Sequence, residues 1–247
     1  LVYNYRTDKY EQPDTDFPTD VRTMVLQGDT LWIGSLNGLY TYQLKSRQLN
    51  HFDSKQTGLP HNTIYSIIHT KDNQIYIGTY NGLCRYVQAS GKFENILLPV
   101  NRGGSNLFVN SLLEDTTRQC IWIGMEGYLF QYNPTIGEMK AIEVFHKNSI
   151  KSLALDGDEN LLAGTDNGLY VYQNDKEPLQ HIIHDSRNIQ SLTNNIIWNI
   201  FSDQEHNIWL GTDYGISLSR YNSALQFVPI SQITGTGDGN QFYSLFR

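Results

Sequence analysis

Asp156-Gly157-Asp158-Glu159-Asn160 carries oxygen ligands at the spacing with which calcium loops begin, and it is the first segment of this chain to test for chemistry. An EF-hand loop needs a central glycine at its sixth position and a bidentate Glu at its twelfth. Neither is present, so the segment reads as a hairpin turn. Gly235-Thr236-Gly237-Asp238-Gly239 has the glycine density of a phosphate cradle. Cradles place the anion on a helix N-terminus, whereas the residues that follow here, Gln241 to Phe246, alternate as a strand does, so an inter-blade loop is the better reading. His181 and His184 are three apart, which on a strand puts them on opposite faces and rules out shared metal ligation. His51, His61, His69, His146 and His206 have no carboxylate at a repeated offset, and no G-x-S-x-G elbow occurs. The sequence therefore nominates no catalytic residue, no metal site and no cofactor. What it offers is a set suited to sugars, which want a flat aromatic face for their C–H side and planar charged or amide groups for their hydroxyls. Tyr80, Tyr214, Asp213 and Arg102 form that set and are the expected ligand-binding residues.

These residues lie beside a sentence repeated five times: Leu31-Trp32-Ile33-Gly34-Ser35, Ile75-Tyr76-Ile77-Gly78-Thr79, Ile121-Trp122-Ile123-Gly124-Met125, Leu161-Leu162-Ala163-Gly164-Thr165 and Ile208-Trp209-Leu210-Gly211-Thr212. The glycines step by 44, 46, 40 and 47 residues, the period of propeller blades. The second copy supplies a template. Asn62 to Ile68 alternates as a first strand, with Ile64 and Ser66 on one face and Tyr65 and Ile67 on the other. Lys71 to Gln74 turns the chain, Ile75 to Thr79 is a buried second strand, Leu83 to Val87 pairs back and Lys92 to Ile96 forms the outer strand. Asn81-Gly82, like Asn37-Gly38 and Asn167-Gly168, reads as a type I′ turn, which needs positive φ at both central residues. The third copy brings its second glycine, Gly127, one residue early and should turn differently.

The expected fold is all-β: a β-propeller of four-stranded antiparallel blades, five complete, with partial blades at both ends. The whole chain, 1–247, reads as a single array. Residues 1–16 end one blade, 17–60, 61–105, 106–147, 148–193 and 194–238 are five successive blades, and 239–247 begin a sixth. Trp32, Trp122 and Trp209 share one slot with Tyr76 and Leu162, so they read as packing between blades and not as a ligand platform. Trp198 stands instead where the second copy has Tyr65, in an inner-type strand. Val2 to Tyr5 and Lys9 to Glu11 match the third and fourth strands of a blade, and Asn240 to Phe246 match a first strand. Two readings of these ends stay open: the halves close one composite blade, or both are cuts through a longer array, the reading preferred.

Composition limits the function. Twenty-five acidic residues against 18 basic ones give a net charge of -7, which disfavours nucleic acid and anionic lipid. No run approaches the roughly 20 apolar residues of a membrane span, so membrane contact would come only through segments outside this chain. Cys84 and Cys120 occupy non-equivalent positions in different copies and read as incidental thiols.

The blade sentence resembles the two-component regulator propeller repeat, on Ile75 to Thr79 with Gly82-Leu83 and Tyr86, Leu31 to Gly34 with Gly38-Leu39 and Tyr42, and Gly164-Thr165 with Gly168-Leu169 and Tyr172. The resemblance implies a noncatalytic sensor module of a hybrid two-component system. It would be periplasmic, part of an inner-membrane-anchored receptor, would sense an oligosaccharide and relay it to a histidine kinase, and would work as a homodimer in the full ectodomain. A protein-interaction scaffold and a propeller enzyme acting on polysaccharide are the alternatives.

Overall fold

The computed structural model describes residues 2–4, 6–11, 17–100, 107–142, 148–173, 180–223 and 225–230. They form two compact units, Leu1–Leu97 and Leu98–Arg247. The first unit holds a two-stranded sheet, β1 (Val2–Asn4) and β2 (Lys9–Glu11), and two four-stranded sheets. The first of these is β3 (Val21–Gln27), β4 (Thr30–Ser35), β5 (Gly38–Gln43) and β6 (Leu49–Phe52), followed by the single-turn helix α1 (Ser54–Thr57). The second is β7 (Ile64–His69), β8 (Ile75–Thr79), β9 (Gly82–Val87) and β10 (Lys92–Ile96). The second unit holds three more sheets. The third is β11 (Val109–Asp115), β12 (Cys120–Met125), β13 (Tyr128–Asn133) and β14 (Glu138–Ile142). The fourth is β15 (Ile150–Leu155), β16 (Leu161–Thr165), β17 (Gly168–Tyr172) and β18 (Gln180–Ile182), and the fifth is β19 (Ile197–Ser202), β20 (Ile208–Thr212), β21 (Gly215–Ser219) and β22 (Phe227–Pro229). Every sheet runs antiparallel in chain order, as the repeat predicts. The expected first strand at 239–247 and the glycine run at 235–239 lie outside the described residues, as do Arg102 and His146.

Successive sheets within a unit stack through their first strands: β3 lies against β7, β11 against β15, and β15 against β19. The repeated glycine makes this approach possible. A Cβ on Gly34 would stand 2.6 Å from Ile64 Cγ2, one on Gly124 2.6 Å from Ile150 Cγ2, and one on Gly164 2.7 Å from Ile197 Cγ2. The glycine of one sheet thus receives the first isoleucine of the next, which is why both recur at fixed spacing. Beside it, Trp32, Tyr76, Trp122 and Leu162 are 3%, 2%, 0% and 0% exposed, while Trp209 is half-buried. All three indoles are satisfied in the same way, by an acceptor just ahead of the second strand. Trp32 Nε1 donates to Gln27 Oε1 (3.0 Å), Trp122 Nε1 to Asp115 Oδ2 (3.0 Å) and Trp209 Nε1 to Asp203 Oδ2 (2.8 Å).

Two local expectations are corrected. Tyr80 and Asn81, the central residues of the β8–β9 turn, keep negative φ, and Gly82 closes it at φ 118; Gly38 and Gly168 do the same at 146 and 94. The turn is therefore not type I′. The deciding residue is the hydroxyl that ends the second strand. Thr79 Oγ1 accepts from Asn81 N (3.1 Å) and donates to Gly82 O (2.9 Å), and Ser35, Thr165 and Thr212 repeat both bonds. The third sheet has Met125 there and turns differently, through Glu126-Gly127, as its early glycine predicts. The second correction concerns the first strands, whose alternation is broken by a bulge in all five sheets, at Arg22, Tyr65, Asn110, Lys151 and Trp198. One extra residue there lets Ile64 and Ile67 both be buried.

Cys84 and Cys120 are free and buried, and burial pushes both thiols up, Cys120 to about 11. No helix among the described residues is long and apolar enough to cross a membrane.

Candidate functional site

A four-stranded meander brings the turn between its second and third strands to the same end as the loop that enters its first strand. Backbone bonds fasten this end: within one sheet, Tyr80 N donates to Thr63 O (2.9 Å) in the first unit and Asp213 N to Ile196 O (3.0 Å) in the second, and from one sheet's turn to the loop entering the next, Gly127 N donates to Asn148 O (2.8 Å) and Gly168 N to Asn195 O (2.7 Å). The predicted ligand residues fall on this loop end. Tyr80 belongs to the first unit, where its half-buried ring tilts against His61 at 4.9 Å. Asp213 and Tyr214 belong to the second, with Tyr214 51% exposed and Asp213 half-buried. Arg102 lies outside the described residues.

In the second unit the bulges add a row of side chains to this end. A bulge re-aims the residue it carries, and the three that follow one another here are Asn110, Lys151 and Trp198, all half-buried. Trp198 is held on two sides. Its indole N–H donates to Asp213 Oδ1 (3.1 Å), and Lys151 Nζ sits 4.3 Å from the ring centroid, a cation–π contact. Asn110 Nδ2 donates to Ile150 O (3.1 Å) and Ser149 Oγ (3.3 Å), while Ser149 N donates to Asp166 Oδ1 (3.0 Å). An oriented aromatic ring is thus held by a carboxylate and an ammonium, with the exposed Tyr214 next to Asp213 and the Asn110 amide at the corresponding position of the third sheet. Such a surface can stack a sugar ring and bond several hydroxyls. Sequence reasoning named Asp213 but passed over Asn110 and Lys151. Their signal is the variable residue inside a fixed frame: Ile64-Tyr65-Ser66, Val109-Asn110-Ser111, Ile150-Lys151-Ser152, Ile197-Trp198-Asn199.

The histidines divide into structural roles. His51 and His181 stack on Tyr40 and Tyr170 at 4.4 and 4.1 Å, and each puts Nε2 on the carbonyl of the turn asparagine, Asn37 at 3.3 Å and Asn167 at 2.6 Å. A carbonyl only accepts, so Nε2 carries the proton in both. Both histidines lie 14 residues after that asparagine, an offset present in the sequence. His184 puts Nδ1 on Leu192 O at 2.5 Å. No group of three His, Cys, Asp or Glu among the described residues could hold a metal ion. Asp156 closes its own hairpin: Oδ1 accepts from Asp158 N (2.9 Å) and Asn160 N (2.8 Å), the turn expected in place of a calcium loop.

The comparisons with known proteins agree with this architecture. The two-component regulator propeller model matches residues 58–81 and 191–214, each running from the loop before a first strand into the turn after the strand glycine. Two solved structures from B. thetaiotaomicron superpose with TM-scores of 0.87 and 0.87. They are described as the extracellular domain of a candidate one component system and of a candidate hybrid two component system, at 80% and 81% identity, covering 100% and 99% of this chain. A curated relative, "Histidine kinase P4" of Formosa agariphila, is 28% identical over 212 residues, 79% of this chain. The chain spans 33% of each solved chain and 15% of the curated relative. With the repeat matched in two of its copies and the whole chain superposed on those extracellular domains, this is a two-component regulator propeller repeat protein, all-β and built of four-stranded antiparallel blades.

Proposed function

We propose that this chain is a noncatalytic sensor module on the outer side of the cytoplasmic membrane, part of a receptor of the hybrid two-component type, and that the loop end of its blades binds an oligosaccharide. Occupancy would be relayed to a histidine kinase in another part of a longer protein, with the full ectodomain acting as a homodimer. The extracellular and signalling parts of this reading are supported by the likeness of 99% of this chain to part of an extracellular domain at 81% identity. The carbohydrate part rests on one observation in the second unit: Trp198 held by Asp213 and Lys151 beside the exposed Tyr214. Arg102 and Tyr80 are assigned to the same function from their places in the repeat.

A thermal-shift screen of the chain against neutral and acidic oligosaccharides tests this, because a ligand at 100 times its dissociation constant adds about 2.7 kcal/mol to stability. The expected outcome is a stabilising oligosaccharide that is recovered intact and whose effect disappears in Trp198→Ala. Turnover of the sugar would replace sensing by catalysis. A stabilising sugar that acts equally on Trp198→Ala would move the site elsewhere.

A further inference from the structure

At the end of the sheets opposite the loop end, neighbouring sheets meet in clefts, and three of these clefts differ in what spans them. Between the first and second sheets, Gln27 Nε2 reaches across to Asn73 O (3.1 Å) and Asn73 Oδ1 (3.0 Å). Between the third and fourth, the guanidinium of Arg118 does so. It is anchored on Asp115 Oδ2 (2.7 Å), and donates from Nη1 to Glu159 O (2.8 Å) and from Nη2 to Gln173 O (3.0 Å). Between the fourth and fifth, the turn 157–159 sends no side-chain donor across among the described residues. A cavity of about 270 Å³ lies there, lined by Asp156, Asp158, Gln173, His206, Arg220 and Tyr221 over the apolar Val171 and Ile208.

The repeat fixes which groups of this cleft correspond to those that hold Arg118. Glu159, His206 and Asn73 are the left-handed residues of equivalent turns, at φ 62, 62 and 65. His206 O therefore stands where Glu159 O and Asn73 O accept in the other two clefts. Asp156 corresponds to Asp115, and its Oδ2 accepts from Asn160 Nδ2 (2.9 Å). The matching oxygens of Asp115 and Asp203 each take two donors, one of them the indole of the same sheet. Leu162 fills the tryptophan slot in the fourth sheet, so Asp156 Oδ2 has one donor fewer. Gly157 shapes the wall, since a Cβ there would stand 2.6 Å from Tyr221 Cε2 and 2.9 Å from His206 Cβ. Those two rings lie 5.4 Å apart, and Tyr221 OH donates to Asp158 Oδ1 (3.3 Å). Two carboxylates face a single cation of the lining, the exposed Arg220.

We infer that this cleft is a binding site for a guanidinium group supplied from outside the fourth sheet, the counterpart of the one Arg118 supplies from within the third. The group would donate to Asp156 Oδ2, Asp158 and His206 O and lie against the Tyr221 ring, the geometry in which a planar fork outperforms an ammonium. The site is independent of the glycan face, which lies at the other end of the sheets, so each reading can fail alone.

The test is an amide-resolved NMR titration of the 247-residue chain with agmatine, with urea as the neutral planar control and butylamine as the non-planar cation. Saturable shifts at Gly157, Asp158, His206, Tyr221 and Asn222 are expected from agmatine, at least tenfold stronger than from butylamine and absent with urea. A short arginine-containing peptide forms a further arm: if it binds more tightly than agmatine, the source is a protein side chain, and if not, a small molecule. Two variants close the argument. Asp158→Arg installs a tethered guanidinium in the cleft and should abolish the response, while Asp158→Asn should weaken it at least severalfold with the remaining spectrum unchanged. Absence of saturable shifts, equal shifts from butylamine, or binding undiminished in Asp158→Asn would each overturn the assignment.

Discussion

Two rows of side chains cross the three sheets of the second unit, and they obey different rules. Trp122, Leu162 and Trp209 occupy the row beside the strand glycines, where the neighbouring sheet leaves room for bulk and little else; each indole is satisfied within its own sheet. Asn110, Lys151 and Trp198 occupy the bulge row, half-buried at the loop end, with amide, ammonium and indole succeeding one another. Packing constrains the first row to a size class. The second is released from packing by the extra residue of the bulge, and a repeat protein can place binding chemistry there without disturbing the stack.

The sharpest contrast comes from emptying the first row. Trp122→Ala removes a fully buried side chain and leaves Asp115 Oδ2 without its indole donor, and should cost about 3–5 kcal/mol, measured by denaturant unfolding. Filling it from the other side is expected to cost less. Gly124→Ala places a Cβ 2.6 Å from Ile150 Cγ2 and should lose about 1–3 kcal/mol, with Ile150→Ala in the same chain recovering part of the loss if the contact is the cause. A smaller effect still is expected from Thr165→Val, which deletes both turn bonds of one hairpin and should cost on the order of 1 kcal/mol.

Acid distinguishes the rows as well. Burial raises the pKa of Asp115, but the Trp122 indole, the Arg118 backbone N–H and the Arg118 guanidinium together outweigh it and hold the carboxyl below its ordinary 3.8; Asp203 is lowered in the same way by Trp209 and Asn207. A carboxyl depressed on folding contributes stability that is fully present above its unfolded value and lost as pH falls through the folded one. The stability of the chain should therefore drop below about pH 3.8, and Asp115→Asn should flatten that acid limb. The bulge row should show the least effect on folding: Lys151→Ala should change stability by no more than about 0.5 kcal/mol while weakening oligosaccharide binding severalfold.

The sequence carried the first row in plain view and hid the second. Ile75 to Thr79 and Lys92 to Ile96 are strands at the predicted bounds, because a buried strand announces itself by composition and its ends by turn residues. The bulge at Tyr65 was not legible, since an inserted residue changes the pairing without breaking the apparent alternation. Asn81-Gly82 misled for a related reason. The same dipeptide suits two turns, and Thr79, two residues earlier, decides between them through its hydroxyl. The place of Asp213 and Tyr214 at the loop end is legible because they follow the strand glycine, whereas that of Lys151 and Asn110 depends on the bulge, which the sequence does not display.

The most direct test of the bulge row as the binding face is a fluorescence titration with the oligosaccharide panel, run on the chain and on Trp198→Phe. Trp122 and Trp32 are buried against neighbouring sheets, so a ligand at the loop end should perturb Trp198: a saturable change in the unaltered chain, lost in Trp198→Phe while unfolding stays cooperative. A saturable change that survives the substitution, or none with any oligosaccharide, would contradict it.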